Sequence, residues 1–272
     1  MGLYYKGMAI SPSRPPSLSG VSAEARACTL CEASLPFKPR PVFLVGRRAR
    51  LLIVGQAPGR RVHETGVPWN DPSGEVLRDW LDLDRARFYD TSRIAIVPTG
   101  LCYPGTLDGV DLPPCRRCAP QWQPRFRAAL PHIRLTLLVG SYAQAYYLKE
   151  RRKKSVGDTV RAFREYLPEF FVLPHPSWRN KAWLKKNPWF ADEVIPALRR
   201  RTRRYDFFLR YPARPALACA AMSCSFLRQP LRCARKASTI DSAMTRLRYH
   251  LAFAGTTVQG ACLAAVREIA SS

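Results

Sequence analysis

Four short runs of this chain are apolar at nearly every position: Leu51–Val54, residues 94–97, Leu135–Val139 and Phe170–Leu173. Their β-branched and aromatic side chains, with no polar alternation, predict strands buried on both faces of a parallel sheet. Between them the apolar spacing turns helical. Ser73 is placed to cap a helix whose Val76, Leu77, Trp80 and Leu81 form one stripe, and Ser141 to cap a second that runs through Tyr147. Residues 123–130 and 182–200 supply two more. The alternation predicts an α/β fold, a three-layer α/β/α sandwich around a central, mostly parallel, four-stranded sheet. No internal repeat is present.

Composition changes the picture at the two ends. Residues 1–21, rich in Pro and Ser, read as a flexible arm without the apolar h-region of a signal peptide, and Lys6 breaks the Gly2 myristoylation pattern. From Arg201 onward there are 12 Lys+Arg against three acidic residues and no sustained period. Residues 206–272 are therefore expected to be a basic tail of low order, either a nucleic-acid-binding extension or, the favoured reading, a segment that does not pack. The apolar stretch 216–227 is too short to span a bilayer. The globular domain is expected at residues 22–205.

Over the whole chain, 44 Lys+Arg face 20 Asp+Glu, a formal charge of +24. A field of that sign suits a polyanionic partner, nucleic acid before others; the plainer reading is a solvated basic surface.

Five cysteines precede the tail. Cys28 and Cys31 form a C-x-x-C upstream of the first strand, and Cys102, Cys115 and Cys118 follow the second. In a chain expected in the cytoplasm, such spacing reads first as a metal or iron-sulfur site. Two sets compete. Cys28, Cys31, Cys115 and Cys118 suit tetrahedral zinc, which spacing alone favours; Cys28, Cys31, Cys102 and Cys118 suit a four-cysteine cluster. The tail cysteines show no ligand-like spacing.

Two segments carry the candidate chemistry. GQAPG, residues 55–59, follows the first apolar run, and HPSWRN, residues 175–180, follows the fourth. Open parallel sheets put their ligand crevice beyond the C-terminal strand ends, so both are expected at one mouth. Gly55, Gln56 and Ala57 would form a pocket wall. Trp69 can stack on a planar ring, as an unstacked base requires, or be plain core. Asp71 is a catalytic carboxylate or a helix cap. His63 is a candidate substrate contact or a satisfied loop histidine. A neutral His175 can donate to a developing oxyanion. Ser177, Arg179, Asn180 and Lys181 can grip phosphates, and Trp178 can wedge between bases.

GQAPG, the TGVPW that follows it and HPSWRN together resemble the uracil-DNA glycosylase superfamily, over residues 25 to 200. Its iron-sulfur branch has a GEAPG-type motif, T-G-x-P-F, an N-terminal C-x-x-C and two later cysteines spaced like Cys102 and Cys118. Its single-strand-selective branch has a motif close to HPSPRN. The resemblance implies hydrolysis of the N-glycosidic bond of a flipped deoxyuridine, with His175 as donor to the leaving base, Trp69 stacked on it, and Gly55 and Gln56 at the pocket wall. It also implies a 4Fe-4S cluster on Cys28, Cys31, Cys102 and Cys118, with zinc as the runner-up.

Three departures modify that expectation. Gln56 stands where the iron-sulfur branch has glutamate, and an amide can orient water but not take its proton. Residues 70–74, NDPSG, resemble the G-D-R-S-G of another branch, which moves the carboxylate role to Asp71. Pro98 stands where the branch reads uracil with asparagine. The sequence thus predicts a monomeric DNA glycosylase of base excision repair, acting on uracil or a related deaminated base, without membrane association. The alternative is a non-catalytic DNA-binding protein on the same fold.

Overall fold

A computed structural model describes residues 16–205. Helix α1 (Leu18–Arg26) opens at Ser17, whose hydroxyl accepts from Gly20 N at 3.1 Å. Val21 is buried, so packed structure begins inside the segment expected as an arm. Then follow β1 (Leu51–Val54), α2 (Arg60–Thr65), α3 (Pro72–Leu81), α4 (Arg85–Phe88) and β2 (Ile94–Ile96). A small hairpin, β3 (Thr106–Leu107) and β4 (Val110–Asp111), precedes α5 (Cys118–Ala129), β5 (Leu135–Val139), α6 (Ser141–Leu148) and α7 (Val156–Arg161). The series ends with β6 (Phe170–Leu173), α8 (Lys181–Lys186) and α9 (Ile195–Tyr205).

The central sheet has the order β2-β1-β5-β6, and every pair in it is parallel. All residues of the four strands are buried, as the unbroken apolar runs require of a sheet covered on both faces. Leu51 pairs with Ile94 on one side and Leu135 on the other, and Thr136 with Phe170, so the strand ends are level. This is the α/β fold with a parallel four-stranded sheet that the alternation predicts.

Several helices start elsewhere than expected. The cap of α3 is Asp71, not Ser73, because Pro72 at the first helical position has no N–H to satisfy and brings the helix forward. Helix α6 begins at Ser141 itself, after Gly140 at φ 85°. Helix α5 begins at Cys118 and tolerates Pro120 in its first turn and Pro124 in its interior. The single helix expected over 182–200 is divided into α8 and α9, with Pro188 and a π-helical turn at Phe190–Val194 between them.

Long-range packing fixes the ends of the domain. Helix α9 lies on α3, with Arg199 donating to the carbonyls of Asp79 (2.8 Å) and Trp80 (3.2 Å) and Phe190 edge-on to Trp80. Helix α1 lies on α5 through Glu24 and Arg125, which brings Cys28 and Cys31 towards Cys118. Among the described residues no helix is long and apolar enough to cross a membrane. The first 15 residues and the basic segment 206–272, with its four cysteines, lie outside the described residues.

Candidate active site

Beyond the C-terminal ends of the strands lies a cleft of about 370 Å³. Gly55, Gln56 and Ala57 from the loop after β1 line it, with Trp69, Asp71, and His175, Ser177, Trp178, Arg179 and Asn180 from the segment after β6. Two stretches far apart in the chain thus share one mouth, because β1 and β6 run parallel on either side of β5 and end at the same edge. His63 and Lys181 are not among the lining residues. The His63 ring packs against Phe37 and Tyr103, at centroid distances of 5.3 and 5.8 Å, and those two rings also stack on each other. Lys181 opens α8 and is exposed.

The GQAPG loop is pinned from behind. Thr99 Oγ1 donates to the carbonyls of Gly55 (3.1 Å) and Gln56 (2.5 Å), and Gly100 N donates to Gln56 O at 2.8 Å. Glycine is required at 55, since a β-carbon there would stand 2.8 Å from Trp69 Cζ2. The indole therefore rests on the end of the strand.

Trp69 itself has φ 57°, a left-handed backbone that costs a bulky residue about 1–3 kcal/mol. Its surroundings enforce it. Arg78 donates to Trp69 O at 3.1 Å, and Tyr89 OH to Pro68 O at 2.8 Å. A β-carbon on Gly74 would fall 1.8 Å from Trp69 O, so only glycine leaves room for that carbonyl. The ring is thereby held 5.7 Å from the His175 ring, centroid to centroid.

Asp71 Oδ1 accepts from Gly74 N at 2.8 Å and caps α3, which sets the carboxylate at the positive end of a helix dipole. The capping and functional readings are thus compatible: one oxygen caps, and the residue still lines the cleft. His175 follows Leu173-Pro174 at the end of β6. Asn180 Nδ2 donates to its carbonyl at 2.6 Å, and Gly140 lies against its ring, a β-carbon there falling 3.5 Å from Cδ2. Burial lowers the His175 pKa below the ordinary imidazole value, against the opposing pull of Asp71 and Asp111. The ring is therefore neutral at pH 7, a donor that needs no counter-charge.

Residues 41–199, more than half of the chain, match the family described as the Uracil DNA glycosylase superfamily. The chain belongs to the uracil DNA glycosylase superfamily. It is also similar to a solved NMR structure of a candidate uracil DNA glycosylase from Methanosarcina acetivorans, at 14% sequence identity and TM-score 0.36. That match covers 59% of this chain and 97% of the other.

Within this uracil DNA glycosylase superfamily domain, the departures noted in the sequence have visible surroundings. Gln56 does not hang free: its Nε2 donates to Leu112 O at 3.4 Å. Pro98 and Ile96 both line the cleft, so apolar surface stands where the resemblance implies an amide reader.

All five cysteines before the tail line one small pocket with Leu101, Gly100 and Trp122. Burial above all pushes the Cys31 and Cys118 thiols up to about 12 and Cys102 to about 11, and neighbouring thiols add to the shift at each. Cys115 moves the other way: burial raises it, but hydrogen bonds from Cys31 and Arg117 outweigh that. Leu101 N donates to Cys118 Sγ at 3.3 Å. Trp122 Nε1 is buried without a hydrogen-bond partner. Among the described residues no three His, Cys, Asp or Glu side chains are drawn together as a ligand set for a single metal ion.

One functional element is absent from the sequence reading. The hairpin β3–β4 turns through Asp108 (φ 48°) and Gly109 (φ 71°) and puts Val110 and Asp111 on the wall of the cleft. Its signal was available: an Asp-Gly pair is the preferred two-residue hairpin turn. The two-residue strands are too short to show a period.

Proposed function

We propose that this protein is a DNA glycosylase that hydrolyses the N-glycosidic bond of uracil or a related deaminated base, the first step of base excision repair. One observation carries the reading: the two motif segments meet in a single cleft, with the Trp69 ring 5.7 Å from the His175 ring and the Asp71 carboxylate beside them. A flipped base is planar and leaves as an anion, while the sugar becomes cationic. Trp69 offers the face on which the base stacks, the neutral His175 ring donates to the base oxygen, and Asp71 orients water and opposes the charge on the sugar. Ser177, Arg179 and Asn180 at the cleft, with Lys181 beyond it, meet the phosphates, and Trp178, 70% exposed, is free to enter the stack. The excess of basic residues supports DNA as the partner.

The cysteine pocket supports a 4Fe-4S cluster held by Cys28, Cys31, Cys102 and Cys118. The four thiols line one small pocket, and four cysteines are the usual ligands of such a cluster. A buried indole N–H with no partner beside them and a backbone N–H donating to Cys118 suit sulfur acceptors. The cluster would tie the α1 segment to α5; every chemical step belongs to the cleft. Zinc on the Cys115-containing set is the alternative occupant.

The test is incubation with single- and double-stranded oligonucleotides containing uracil, hypoxanthine or xanthine, followed by alkaline cleavage of abasic sites. Strand cleavage with at least one lesion is expected. Tight, salt-sensitive binding without base release from any of them points to the second reading, a non-catalytic DNA-binding protein. The Gln56 amide bound to Leu112 O favours that reading.

A further inference from the structure

The reaction needs a group that accepts the proton of the attacking water, and the first motif does not provide one. Gln56 is an amide, and Asp71 has one carboxylate oxygen tied to Gly74 N at the start of α3. A second carboxylate stands in the same cleft. Asp111, on β4, lines it together with Asp71 and His175.

The hairpin is built to hold that carboxylate still. Its two-residue turn places Thr106 directly opposite Asp111, and Thr106 Oγ1 donates to Asp111 Oδ1 at 3.1 Å. The Tyr103 phenol hydrogen-bonds the Thr106 hydroxyl in turn. Two ties from the motif segments fasten the hairpin over the cleft: Arg179 donates to Gly109 O at 2.5 Å, and Gln56 to Leu112 O at 3.4 Å. Asp111 Oδ2 stands beside Gly59, at ordinary contact distance (3.7 Å) from the place a β-carbon there would take, and the residue is exposed, so water reaches the carboxylate. The carboxylate also lies within electrostatic reach of the His175 ring.

We propose that Asp111 is a catalytic residue of this cleft, the base that takes the proton from the attacking water; the proposal rests on the glycosylase reading. In the step, an O–H bond of water breaks, its proton passes to Asp111 Oδ2, and the water oxygen bonds to C1′ of the sugar. The C1′–N bond breaks with its electron pair on the base, which departs as an anion held by the His175 N–H. Asp71 opposes the positive charge that develops on the sugar. Gln56, freed from proton transfer, serves as a strut that holds the hairpin.

The experiment compares single-turnover base release and oligonucleotide binding for the wild-type chain, Asp111→Asn and Asp111→Glu, with thermal melting of each. Asp111→Asn should slow release by about 100-fold or more, with binding and melting unchanged, since the side chain is exposed and isosteric. Asp111→Glu, which keeps a carboxylate, should recover part of the rate. Release at the wild-type rate by Asp111→Asn overturns the proposal, as does a loss matched by weaker binding or a Glu variant as slow as the Asn variant. Absence of release by the wild-type chain on every lesion overturns the glycosylase reading itself, and the proposal with it.

Discussion

The indole of Trp69 and the imidazole of His175 meet at 5.7 Å with their planes inclined by 32°. One ring comes from the loop before α3 and the other from the end of β6, so their meeting depends on the whole sheet. It also makes the proposed donor and the proposed stacking surface one unit. His175→Ala should slow base release by about 10²–10³, the usual loss when one donor to a developing oxyanion is removed. Single-turnover kinetics check this, and a wild-type rate in the variant means that the ring only packs on Trp69.

The two roles of Asp71 can be separated. Asparagine caps a helix about as well as aspartate, whereas alanine costs about 1 kcal/mol. Asp71→Asn should melt like the wild-type chain and Asp71→Ala should be less stable by that amount. Both should lose base release by about 100-fold, the scale expected when a group that stabilises developing transition-state charge is removed. Chemical denaturation and release assays on the same samples decide it, and an active Asp71→Asn would leave the residue a cap and nothing more.

Burial holds His175 and His63 below the ordinary imidazole value, His63 with added repulsion from Arg40. The unfolded chain therefore binds protons at these rings that the folded chain refuses. Stability is complete above the unfolded value and is lost as pH falls through about 6.5 and below. Denaturation of the wild-type chain at about pH 7.5 and about pH 5.5 should show this fall, and His175→Asn should narrow the difference. A difference that stays the same means the His175 ring is not held neutral.

Gly74→Ala tests the locked indole. Its new methyl would overlap Trp69 O, so either the α3 start or the Trp69 turn must move, at a cost of about 1–3 kcal/mol. Trp69→Phe leaves the backbone alone. The first variant should lower both the denaturation midpoint and base release, and the second should affect release more than stability. Equal stability of Gly74→Ala and wild type would show that the carbonyl is free to shift.

The proposed cluster predicts absorbance at roughly 400 nm, from sulfur-to-iron charge transfer, and iron in the purified chain. Cys118→Ser should lose both, and Cys115→Ser should keep them. A colourless protein with one zinc, sensitive to Cys115→Ser, would assign the pocket to the other set.

The sheet was legible because a strand buried on both faces leaves an unbroken apolar run: Leu51–Val54, Leu135–Val139 and Phe170–Leu173 are strands at those limits. The helix starts were less so. Pro72 and Pro120 look like breakers in sequence, yet each sits in a first turn where the missing N–H has no partner to lose. The two motif segments named the cleft, because strand-end loops of a parallel sheet converge. Asp111 was not legible, since its place there depends on a hairpin fastened by Arg179 and Gln56 through backbone carbonyls that any residue supplies. The place of His63 was not legible either: it is near GQAPG along the chain, but it sits on α2, whose turn carries the ring into contact with Phe37 and Tyr103.

The tie between Arg179 and Gly109 O has a consequence for how a strand of DNA would enter. A guanidinium carries five N–H donors, and the carbonyl occupies only part of that set. An arriving phosphate can therefore be met by the remaining donors while the hairpin stays fastened. The same side chain would then join the DNA backbone to the wall that carries Asp111, so that docking and the order of the cleft depend on one residue.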